Sequence, residues 1–103
     1  METELLLVPE CPNGDGATAV LRAALDDVGL TRTTIHTTVI STHDEAVARG
    51  FVGSPTILLD GKDPFAQPGQ TPALACRVYA TPNGLSGVPS LEQLREAVHH
   101  AAS

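Results

Sequence analysis

Apolar residues fall in runs of distinct period along the chain, and each period predicts an element. Leu5 to Val8 is a short continuous apolar run, the pattern of a first strand buried on both faces. From Ala17 to Val28 the apolar positions Ala17, Val20, Leu21, Ala24, Leu25 and Val28 step by three and four, which marks one face of a helix, with Gly29 as its stop. Thr33 to Ile40, rich in β-branched residues, predicts a second strand. Thr42 stands three residues before Glu45 in capping-box spacing and opens a short helix that ends at Gly50. Pro55 to Leu59 predicts a third strand closed by the turn pair Asp60-Gly61.

The segment from Lys62 to Leu74 carries Pro64, Pro68, Gly69 and Pro72 and predicts a long loop. Ala75 to Ala80 then predicts a fourth strand, antiparallel to the third, followed by a Pro82-Asn83-Gly84 turn. Ser90 and Gln93 stand in capping-box spacing before a last helix with Leu91, Leu94 and Val98 on one face. The order β-α-β-α-β-β-α makes an α/β fold. A right-handed crossover joins the first two strands in parallel, and a hairpin completes a four-stranded mixed sheet flanked by three helices.

At 103 residues the chain predicts one domain spanning residues 1–103. Six Lys and Arg against twelve Asp and Glu leave a net charge of -6 with no basic cluster. That balance argues against a grip on nucleic acid phosphates and against anionic membrane surfaces. The stretch METELLLVPE has an acidic start and too short an apolar run for a secretory signal or a membrane span. The expectation is a cytoplasmic protein whose two cysteines are reduced at rest. No pattern calls for a cofactor.

The stretch Cys11-Pro12-Asn13-Gly14-Asp15-Gly16, between the first strand and the first helix, supports three readings. Gly14 to Ala19 fits the G-x-G-x-x-A pattern of a dinucleotide loop, but the second strand ends at Val39-Ile40-Ser41 with no acidic residue for a ribose hydroxyl. Asp15 would also repel a pyrophosphate. In a second reading Cys11 is a thiol at a helix start, where backbone N–H groups and the positive end of the macrodipole favour a thiolate and the acidic neighbours Glu10 and Asp15 oppose it. In a third, Cys11 is a small buried hydrophobe, Gly14 and Gly16 are turn residues, and Asp15 is a helix N-cap.

The order of elements, a Cys-Pro-x-x stretch between the first strand and first helix, and Ser54-Pro55-Thr56 opening the third strand together resemble the thioredoxin-like family over nearly the whole chain. The resemblance implies that Cys11 is the attacking cysteine. Gly14 replaces the second cysteine of Cys-x-x-Cys, so a dithiol cycle within this motif is impossible. What the resemblance then implies is a single-cysteine redox or thiol-transfer protein acting on a small thiol or a protein partner. It also implies a cis Pro55 facing Cys11, with Ser54 lining the site and backbone groups there pairing with an extended thiol substrate. Set against this are an ordinary trans Pro55 at the start of a strand and a non-catalytic binding module that keeps the groove without the chemistry.

Cys76 lies within the predicted fourth strand and has no local motif. It is a core cysteine, a thiol that resolves a Cys11 mixed disulfide, or with Cys11 a ligand for a soft metal ion. A weaker likeness, confined to Cys11, Asp15 and Cys76, is to the Cys/Asp/Cys set of organomercurial lyases. His36, His43, His99 and His100 lack the close pairing of a structural zinc site. Arg77 and Lys62 are candidate cations for an anionic substrate. The Lys62–Leu74 loop, with Phe65 among its prolines, is a lid over the thiol, a partner-binding edge, or a surface excursion anchored by Phe65.

Overall fold

The computed structural model describes Met1–Ser103. The elements are β1 (Thr3–Leu7), α1 (Gly14–Asp27), β2 (Ile35–Val39), α2 (His43–Arg49), β3 (Thr56–Leu59), β4 (Tyr79–Thr81), β5 (Gly84–Ser86) and α3 (Leu91–Ala102). β1 is the central strand of a three-stranded sheet in the order β2-β1-β3. It pairs in parallel with β2, from Thr3 opposite Ile35 to Leu7 opposite Val39. It pairs antiparallel with β3, from Thr3 opposite Leu59 to Leu6 opposite Thr56.

The central position explains why β1 is a continuous apolar run. Successive side chains point to opposite faces, and here both faces are covered. Leu5, with Ile57 and Leu59 of β3, packs against Ala17, Leu21, Ala24 and Leu25 of α1 and Leu94 and Val98 of α3. Leu6, on the other face, packs with Leu58, Ile40, Ala46 of α2 and Phe51. A single polar residue placed in Leu5-Leu6 would therefore enter one core or the other.

The predicted four-stranded sheet is not formed. Residues 75–77 make one isolated parallel bridge, Cys76 beside Ser54, just ahead of β3. β4 begins only at Tyr79 and pairs with β5 in a separate two-stranded hairpin, from Tyr79 opposite Ser86 to Thr81 opposite Gly84. The reason lies in which side chains are buried. Arg77 and Tyr79 turn inward while Val78 between them is 62% exposed. This alternation places a guanidinium, not an aliphatic side chain, against the sheet, and Arg77 is bound to groups off the strand edge. The chain therefore pairs once with Ser54, two residues ahead of β3, and not with β3 itself.

The start of α1 also differs from the sequence reading. The helix begins at Gly14 with Asn13 as N-cap, and no side chain caps it. Asp15 is an exposed first-turn residue, where its charge complements the helix dipole. The glycines of the G-x-G-x-x-A match lie within helical turns, so no open phosphate loop exists there. The other two helices start as their spacing predicts. The Thr42 side chain accepts from the Glu45 N–H, and Ser90 with Gln93 forms a full capping box. α2 stops at Gly50, which takes φ 63, a left-handed conformation open to glycine at little cost.

Candidate thiol site at Ser54

Ser54 is fully buried and joins three segments of the chain. Its Oγ accepts the N–H of Val8 at 3.1 Å, just after β1 ends. Its own N–H donates to the Ala75 carbonyl at 2.8 Å, and its carbonyl accepts the Arg77 N–H at 2.9 Å. The Ser54–Pro55 peptide bond is cis. The Ala75–Arg77 segment is thus laid along Ser54 like a strand of one residue, with exposed Cys76 at its centre.

The cysteine loop leaves from the same place. After Val8 the chain turns through Pro9 and Glu10, the latter at φ 57, and reaches Cys11, which is partly exposed. The Cys11 carbonyl then accepts the Gly14 N–H at 3.2 Å, closing a turn with Pro12 and Asn13 at its centre. Proline fits the second position of such a turn because its ring presets φ. Asn13 lies against Gly87, where an added Cβ would stand 2.4 Å from the Asn13 amide nitrogen. The loop is therefore held between the end of β1 and the segment that follows β5.

Behind the Ala75–Arg77 segment sits a buried ion pair. The Arg77 guanidinium donates to Asp63 at 2.7 Å and to the Phe65 carbonyl at 2.9 Å. The two charged side chains are 5% and 11% exposed. The same guanidinium lies 4.6 Å from the centre of the Tyr79 ring, an attractive cation–π placement. Tyr79 meets Phe65 edge to face at 5.4 Å, and its hydroxyl donates to the Pro55 carbonyl. Burial pushes the Tyr79 phenol well above its ordinary range; the Arg77 charge opposes that shift and Asp63 adds to it.

These contacts bear on two sequence readings. Arg77 is spent on Asp63 and Phe65, and is not free to receive an anionic substrate. The Lys62–Leu74 loop is anchored through Phe65 and through the Ala73 N–H donating to the Phe51 carbonyl at 3.1 Å, while Ala66 to Thr71 stays exposed. Lys62 is exposed, and its carbonyl accepts the Leu59 N–H at 2.8 Å.

Of the residues singled out in the sequence, Ser54, Pro55 and Cys76 lie together, and Cys11 follows the turn that starts at Val8. Asp15 lies in the first turn of α1. The four histidines are spread over β2, α2 and the end of α3, and no three His, Cys, Asp or Glu side chains gather as metal ligands would. A groove of about 890 Å³, lined by Asp60, Lys62, Phe65, His99 and His100 among others, includes Leu59 at the end of β3 opposite Ser54 and no cysteine.

Sequence reasoning did not find Asp63 and Tyr79. Asp63 looks like loop polarity, and Tyr79 like an ordinary strand aromatic. Their one legible signal is the isolated Arg77 inside an otherwise apolar ACRVYA segment, since a buried cation requires a partner. No protein-family model matches the chain, and no curated protein or solved structure matches it either. No helix is long and apolar enough to cross a membrane.

Proposed function

We propose that the chain is an atypical thioredoxin-like protein in which Cys11 is a thiol nucleophile for redox or thiol transfer. The observation that carries this reading is the convergence on Ser54. Its hydroxyl holds the end of β1, from which the Cys11 loop departs, and its backbone holds the segment bearing the only other cysteine. Cys11 is partly exposed just ahead of α1, so a disulfide can approach it. The chemistry is exchange: the Cys11 thiolate attacks one sulfur of a disulfide, a mixed disulfide forms, and the other sulfur leaves as a thiolate that takes up the proton. Gly14 offers no second thiol within the loop, so the mixed disulfide at Cys11 is the product of this step.

The test is the rate at which Cys11 exchanges with a small aromatic disulfide reagent in a Cys76→Ala background. The expected outcome is faster reaction in the folded protein than in the same protein unfolded by urea at the same pH. Equal or slower reaction when folded would overturn the thiol reading and leave a binding module without chemistry at Cys11.

A further inference from the structure

The residues that lead into β3 beside the cysteine loop are already paired with the chain itself. Both backbone groups of Ser54 are bonded to Ala75 and Arg77, the Pro55 carbonyl accepts the Tyr79 hydroxyl, and the Leu59 N–H donates to Lys62. A peptide that binds by strand addition needs a row of free N–H and C=O groups. Here the strap from Ala75 to Arg77 fills the place where such a peptide would start. It is firmly seated: Arg77 is tied to Asp63 and Phe65 behind it, and a Cβ on Gly53 would come within 2.9 Å of the Arg77 Cβ. Opening this edge would expose the Arg77–Asp63 pair.

The strap carries a thiol. Arg77 is buried and its neighbour Cys76 is exposed. Neighbouring strands lie about 4.8 Å apart, so Cys76 is one strand spacing from Ser54. On the other side, the Ser54 Oγ holds Val8, and a turn of four residues keeps Cys11 within about 7 Å of Val8. Both cysteines lie outside helices and named strands. Because the strap is seated, bringing their α-carbons to the roughly 7 Å or less that a disulfide needs falls to the turn that carries Cys11, with Cys76 held beside Ser54.

From this we infer that Cys76 is the built-in resolving thiol for Cys11, and that the substrate is a low-molecular-weight disulfide and not an extended segment of another protein. The inference rests on the reading of Cys11 as a nucleophile. In the first step the Cys11 thiolate attacks R–S–S–R, the S–S bond breaks, and one R–S⁻ leaves and is protonated. In the second, the Cys76 thiolate attacks the Cys11 sulfur of the mixed disulfide and expels the second R–S⁻. Two protein thiols are oxidised to one Cys11–Cys76 disulfide, and one small disulfide is reduced to two thiols. No other oxidant is required.

The experiment treats the reduced wild-type chain and Cys76→Ser with excess glutathione disulfide and reads intact mass and peptide maps without reductant. The expected wild-type product is a monomer with no added glutathione and a Cys11–Cys76 bridge, whereas Cys76→Ser accumulates glutathione on Cys11. A wild-type chain that keeps glutathione on Cys11 with Cys76 free, or that forms a bridge between two copies, overturns the resolving role and leaves the nucleophile reading standing. A Cys11 that does not react in either protein overturns both. The substrate class is read from a second comparison. A disulfide within an extended peptide should react about tenfold or more slowly than glutathione disulfide, since the backbone bonds it would use at Ser54 cannot form. Equal or faster reaction of the peptide overturns the small-substrate assignment.

Discussion

The carboxylate of Asp63 and the guanidinium of Arg77 meet at 2.7 Å with both side chains almost sealed from water. Asp63 lies in the proline-rich loop and Arg77 in the strap beside Ser54, so this contact fastens the loop to the site. A buried pair adds little over a well-packed apolar substitute, but removing one partner strands the other charge. Asp63→Ala is expected to lower the unfolding free energy by about 3–5 kcal/mol, read from urea denaturation. A loss below 1 kcal/mol would mean that water reaches Arg77 and that the strap is not fixed in this way.

Gly53 holds φ 136 and has Arg77 backbone and Cβ atoms in the space a side chain would need. Gly53→Ala adds a methyl where the nearest atom is 2.9 Å away and where L-residues are strained. The expected cost is about 1–3 kcal/mol, measured by the same denaturation. Amide hydrogen exchange should rise at Arg77, whose N–H donates to the Ser54 carbonyl. Unchanged protection there would sink the proposed seating of the strap.

Tyr79 is the only tyrosine and the chain has no tryptophan, so phenolate absorbance reports this residue alone. Burial raises its folded value above the ordinary 10.0. Because the folded state holds the proton more tightly, the contribution to stability is complete below about pH 10 and is lost as pH rises through the folded value. Folded protein should thus show little phenolate at pH 10, whereas protein unfolded in urea shows about half. Tyr79→Phe should remove the alkaline loss of stability, and at neutral pH should cost about 1–2 kcal/mol by leaving the Pro55 carbonyl without its donor.

Glu4 gives the acid counterpart. Burial raises its carboxyl, but the Thr38 hydroxyl, the Arg49 guanidinium and the His36 charge together outweigh that effect and hold it below the ordinary 4.5. A depressed carboxyl contributes stability above its unfolded value and loses it as pH falls through the folded value. The stability difference between wild type and Glu4→Gln should be constant from neutral pH to about pH 5 and shrink below about 4.5, with a plateau of at most about 1 kcal/mol for so exposed a pair. A difference that stays flat down to pH 3 would contradict the ion pair with Arg49.

What the sequence determined by itself is the core of the fold. The Leu5–Val8 run, the three-and-four spacing from Ala17 and the Thr42 and Ser90 caps each act through near neighbours, so β1, the three helices and the parallel crossover to β2 are readable from period and spacing alone. The tertiary structure decided where residues 75–81 go. Their alternation has a strand's period, but period cannot say that Arg77 is drawn inward by Asp63, fourteen residues earlier, or that Tyr79 reaches the Pro55 carbonyl. Those contacts detach β4 from the sheet and lay Cys76 beside Ser54. A thiol's residue type is local information, whereas its neighbours are set by long-range packing. For that reason Cys11 and Cys76 were both visible as candidates, while only the folded chain brought their segments to one serine.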